Sequence, residues 1–145
     1  MHRIPTTGCW KIKLLFRTVL TVGLWFSVVA NAADAHLGVW SGTLTEVIVA
    51  GQQYQQYAAT LTVTPQEYRI DYDTLSCGGI LRLLKHKGRF YHFRDELDYG
   101  LKKCANGGRT EVHFISTERA IFQWFDKQGT LKVEGHLKRQ PQLMI

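Results

Sequence analysis

Between Gly38 and Arg139 apolar and polar residues alternate with a period of two, and Gly, Pro and Asp interrupt the alternation about every eight to twelve residues, as in short strands buried on one face. Eight strands follow from this pattern. The first covers 38–49, with Trp40 early in it, and Gly51-Gln52-Gln53 turns the chain into a second over 56–64. Pro65-Gln66 makes the next turn, because proline presets φ and cannot donate within a ladder, and 67–72 forms the third. After a loop at 73–77 come the fourth strand, 79–85, and the fifth, 89–95, in which Phe90, His92 and Arg94 oppose Tyr91, Phe93 and Asp95. Residues 96–108 read as the longest irregular stretch, with room for one helical turn at 96–103. The last three strands, 109–116, 119–126 and 130–139, form a meander that ends on the clearest alternation, Leu131, Val133, Gly135 and Leu137 against Lys132, Glu134, His136 and Lys138.

Eight short strands joined by tight turns bury one face each by closing into a small barrel, which also removes the exposed edges that invite aggregation. The expected fold class is all-β: an eight-stranded antiparallel up-and-down barrel, calycin-like in plan, with a two-sheet sandwich as the alternative. Residues 33–145 contain no amphipathic helix of three turns, no internal repeat and no low-complexity segment.

The N-terminus has a different composition. A cationic stretch through Arg17 precedes an apolar run from Thr18 to Ala30, and Ala30-Asn31-Ala32 supplies the small-x-small cleavage site of a Sec-type signal peptide. The run is short for a bilayer span, which needs about 20 apolar residues. Residues 1–32 are read as signal peptide and 33–145 as one domain, periplasmic or secreted, with no membrane span after cleavage. Cys9 lies before the apolar run and so is not a lipid-attachment site. This division changes the charge: the chain carries 18 Lys+Arg against 12 Asp+Glu, formally +6, but four of the bases and none of the acids lie in 1–32, which leaves 14 against 12. Nucleic-acid binding, which depends on clustered phosphate-neutralising charge, loses its support.

After cleavage two cysteines remain, Cys77 and Cys104, and an even pair in an oxidising compartment is most simply a disulfide. A redox pair is the competing reading, without a Cys-x-x-Cys or a βαβ pattern to support it. Each cysteine is followed by a glycine pair, Gly78-Gly79 directly and Gly107-Gly108 three residues on, expected to let the bridged backbones turn with positive φ. The bridge would pin the 96–108 loop over one barrel mouth or hold it rigid for a partner.

Two resemblances bear on this picture. Gly38-Val39-Trp40 resembles the Gly-x-Trp that opens lipocalin and avidin-type barrels, and the resemblance implies that Trp40 plugs one end of the barrel. A longer series is similar to a widespread group of small bacterial secreted or surface domains: Tyr72-Asp73-Thr74-Leu75-Ser76-Cys77-Gly78-Gly79, then Phe93-Arg94-Asp95-Glu96-Leu97, then Gly100 with Cys104 and Gly107-Gly108. That group shares the order Tyr-x-x-Leu-x-Cys-Gly-Gly, Phe-Arg-Glu-x-Ile or similar, and Gly-x3-Cys-x2-Gly-Gly. The resemblance implies an extracytoplasmic β-domain with Cys77 and Cys104 paired, and it implies no substrate.

Candidate chemistry is sparse. No Gly-x-Ser-x-Gly elbow, His-Glu-x-x-His, phosphate loop or dinucleotide fingerprint occurs, so no catalytic residue, metal or cofactor is assigned. His92 and His113 fall on adjoining strands but lack a third ligand, and Asp95 and Glu96, as strand neighbours, point to opposite faces. Arg94 is placed to hold Asp71 or Glu96 through a bidentate bond, and Arg82, Lys85, His86, Lys87 and Arg89 read as a solvated hairpin. Aromatic residues are abundant, and the run Ile121-Phe122-Gln123-Trp124-Phe125 puts large groups on both faces of one strand, so that one face is left outward as a contact surface.

Three readings follow. The favoured one is a non-catalytic module that binds another envelope protein, as an inhibitor or immunity protein does, through a loop and aromatic face including Arg94, Glu96, Tyr99, Lys102 and Trp124. The alternative is a calycin-like carrier of a small apolar ligand, which needs a lumen of a few hundred cubic ångströms. The third is an enzyme built from His92, Arg94 and Glu96, which needs a concave pocket with perturbed titrating groups.

Overall fold

The computed structural model describes residues 34–142, so the signal-peptide reading of 1–32 lies outside the described residues. A 3-10 turn at Asp34–His36 leads into β1 (Gly38–Val49), β2 (Gln53–Val63), β3 (Tyr68–Tyr72), a second 3-10 turn at Asp73–Leu75, then β4 (Cys77–Lys87), β5 (Phe90–Tyr99), β6 (Arg109–Phe114), β7 (Arg119–Phe125) and β8 (Leu131–Arg139). Every strand pairs antiparallel with its sequence neighbours, and β8 closes on β1 from Trp40↔Arg139 to Glu46↔Val133. The result is the closed up-and-down barrel expected from the alternation, and not the sandwich. Among the described residues no helix is long and apolar enough to cross a membrane.

The period of two fixes what fills the lumen. Trp40 and Leu44 of β1, Tyr91, Phe93 and Leu97 of β5, Ala120, Phe122 and Trp124 of β7 and Leu137 of β8 all point inward and are buried. One end is shut by the chain that enters it. The Trp40 indole N–H donates to the His36 carbonyl at 3.0 Å, the His36 ring stacks on Phe114 with centroids 4.0 Å apart, and the Arg139 guanidinium lies over the Trp40 ring. Trp40 thus occupies the plugging position implied by Gly-x-Trp; emptying such a site by substitution with Ala costs about 3–5 kcal/mol.

Two sequence expectations are corrected. The fifth strand does not stop at Asp95 but continues to Tyr99, so the irregular segment shrinks to 100–108 and no helical turn forms at 96–103. The alternation persists through this extension, with Leu97 inward and Glu96 outward, where Glu96 accepts from Arg82 at 2.6 Å. The glycines after Cys77 serve close approach instead of positive φ. A Cβ on Gly78 would lie 2.5 Å from the Ile70 carbonyl oxygen, and one on Gly79 would collide with the Glu96 carbonyl. On the Cys104 side the expectation holds at Gly107 (77°), while on the Cys77 side positive φ falls on Ser76 (54°).

Candidate functional site

The end opposite the Trp40 plug is built differently. Cys77, the first residue of β4, is bonded to Cys104, their Cα atoms 6.3 Å apart, and this folds the 100–108 segment against the mouth. Lys103, Cys104 and Ala105 form one wall of a cup there; Glu46 from β1, Tyr57 from β2, Tyr72 from β3, Leu75 after it, Trp124 from β7 and Val133 from β8 form the others. The cup has a volume of about 80 Å³. That admits several waters or one compact group, far less than the roughly 300–1,000 Å³ of a pocket for a sizeable ligand.

Its polar groups sit in a poorly hydrated setting. Burial raises the Glu46 carboxyl above its usual value, partly offset by Lys132. Tyr57 and Tyr72 are each only 5% exposed, and burial, followed by the nearby carboxylates, raises both phenols well above the usual range. Below them Asp95 points into the lumen, where burial lifts it to about 6 against the opposing pull of Thr110 and Trp124. The Thr110 hydroxyl donates to Asp95 Oδ1 at 2.5 Å. Asp95 and Thr110 are the polar residues buried at this end, as His36 is at the other.

No family model, curated protein or solved structure matches the chain. Of the residues singled out in the sequence, Trp124 and the Cys77–Cys104 bridge come together at the mouth. Trp124 faces the lumen at 8% exposure, so the outward side of its strand is carried by Ile121 and Phe125 instead. Arg94 and Glu96 are not on a loop. They lie on the outer wall, where Arg94 Nη2 and Arg82 Nε both reach the Glu96 carboxylate, at 3.1 and 2.6 Å. Arg94 makes one bond to Glu96 and is not the bidentate arginine; that is Arg69, which holds Asp98 at 2.8 and 2.9 Å. Tyr99 donates its hydroxyl to Asp71 at 2.8 Å, and Lys102 is exposed on the pinned segment.

His92 pairs with Glu111 at 3.2 Å while His113 stacks on Phe90, and among the described residues no group of three His, Cys, Asp or Glu is placed to hold a metal. Sequence reasoning missed Glu46, Tyr57, Tyr72 and Lys103. For Glu46 the signal was present but unused: it shares its parity with the inward Trp40 and Leu44, which puts an acid on the dry face of β1.

Proposed function

We propose that the protein is a secreted or periplasmic, non-catalytic module that binds another protein of the cell envelope, in the manner of an inhibitor or immunity protein. The observation that carries this reading is the asymmetry of the two ends. One is plugged by Trp40, His36 and Arg139; the other is ringed by apolar groups that no described residue covers. Among the described residues, six of the ten exposed large hydrophobic ones, Ile48, Val49, Tyr54, Tyr99, Leu101 and Leu131, belong by strand register to the disulfide-closed mouth. A cluster of large exposed apolar groups on one end of a small domain marks a contact surface. The pinned 100–108 segment and the β1–β2 hairpin would reach a partner first, both held by closed-barrel strands that limit the ordering cost of association.

Carriage of a small apolar ligand is the second reading. The closed barrel favours it, and the small, carboxylate-lined cup weighs against it.

Affinity capture from an envelope extract with the purified chain, run beside an Ile48→Asp/Leu101→Asp double variant, tests the first reading. A stoichiometric partner retained at low and moderate salt by the parent chain, and reduced at least tenfold by the variant at unchanged thermal midpoint, is expected. Equal recovery by both chains removes the mouth from the reading, and no stoichiometric partner under any condition removes the reading itself.

A further inference from the structure

Tyr57 and Tyr72 present a combination that a barrel end does not need for stability. Both rings are nineteen-twentieths buried, both line the cup, and neither hydroxyl has a hydrogen-bond partner among the described residues, whereas Tyr99, outside, has its hydroxyl bonded to Asp71. Neither hydroxyl is among the buried polar atoms left without a partner, which among the described residues are His36 Nδ1 and Arg139 Nε, so both phenols are open to the cup. Two unpaired phenols facing one small cavity indicate a space shaped for something that accepts or donates there. The remaining walls narrow the choice. Glu46 supplies a carboxylate, Trp124 a third aromatic ring, and Asp95 a second carboxyl behind Trp124 and Tyr72.

We infer that the cup is a binding site for a compact alkylammonium group. Tyr57 and Tyr72 meet edge to face beside Trp124, an aromatic wall that attracts a cation wherever it offers a ring face, and a carboxylate short of solvent gains from a positive charge what burial has taken from it. The cavity accommodates a group of that size and excludes a long apolar ligand. This deepens the protein-binding reading: a lysine tip offered by a partner presents the same chemistry as a free small amine.

The charged groups around the cup also give the pH dependence its sign. Facing it or set directly behind it are Glu46 on β1, Tyr57 on β2, Tyr72 on β3, Asp95 on β5, Lys103 on the pinned segment and Lys132 on β8. Burial raises both carboxyls, so acidification neutralises them and weakens cation binding, while the phenols stay protonated throughout. Lys103 and Lys132 carry the charge that repels a cation.

Titration of the oxidised protein, followed by the Trp124 indole N–H in a two-dimensional NMR spectrum, decides the matter. The probes are choline chloride, Nα-acetyl-lysine methylamide and the neutral isostere 3,3-dimethylbutan-1-ol, at constant ionic strength. Saturable shifts with one or both cations, at least tenfold tighter than the alcohol, are expected. Glu46→Gln should weaken the cation at least tenfold, Tyr57→Phe less, and Lys103→Ala should tighten it about twofold or more. Whichever cation binds tighter identifies the source as a free methylated amine or a lysine tip. Equal binding of the alcohol, an unchanged affinity in Glu46→Gln, or no saturation with either cation overturns the inference. The probes report on the cup alone, so that failure leaves partner capture by the rim as a separate result.

Discussion

Asp95 is a carboxylic acid at an inward position of a closed barrel, held at about 6 instead of 3.8 chiefly by burial. The folded chain therefore binds this proton more tightly than the unfolded chain. Stability falls as the pH rises through the window from about 4 to about 6 and stays at the lower level above it. At about 1.4 kcal/mol per pH unit the loss is on the order of 3 kcal/mol. Asp95→Asn removes it while keeping an acceptor for Thr110, so urea unfolding should find the variant about 2–3 kcal/mol more stable than the parent at pH 7 and nearly equal at pH 4. A difference that does not change with pH would contradict the assignment. His36 acts with the opposite sign: burial, then Arg139 and Arg89, hold its folded value below 6.5, so its contribution is present above 6.5 and is lost as the pH falls. Only the difference between the two chains isolates Asp95. At this scale the sequence was partly legible. Glu46 could be read as inward from parity alone, but the ion pair of Arg69 with Asp98, 29 residues apart, could not be read before the strands were in register.

The β4–β5 pair shows why element boundaries were harder to read than elements. Asp95 occupies an inward position and interrupts the apolar alternation, which Leu97 resumes two residues later while the pairing continues to Gly78↔Tyr99. The lumen tolerates the acid because Thr110, from the neighbouring strand, donates to it. The two register shifts in this pair, at Gly78/Gly79 and at Leu83/Lys85, were likewise invisible in composition. The bridge between Cys77 and Cys104 acts on the same region. It closes a loop of 27 residues, for which chain entropy predicts a stabilisation of about 3 kcal/mol. The Cys77→Ser/Cys104→Ser variant should have an unfolding free energy lower by that amount and be insensitive to reductant, while the parent loses the same increment when reduced. Unequal losses would mean that the substitutions disturb the mouth itself and not only the unfolded chain.

As a whole the molecule is a barrel with two unlike ends, and its plan was the most legible feature, because eight hairpin-linked strands of period two have few ways to hide one face each. The difference between the ends was legible only in part. Gly38-Val39-Trp40 marked the plugged end, and the two cysteines marked the other as stapled. The apolar rim was not apparent, since Ile48, Val49, Tyr54 and Leu101 become neighbours only when the β1–β2 hairpin and the pinned segment meet at one mouth. The central claim is that recognition takes place at that mouth. Amide hydrogen exchange on the captured complex tests it most directly. The account predicts protection on binding in residues 46–57 and 99–106, with exchange at 36–40 and 86–90 unchanged. Protection confined to the Trp40 end, or to the outer wall of Arg82, Arg94 and Glu96, would contradict it.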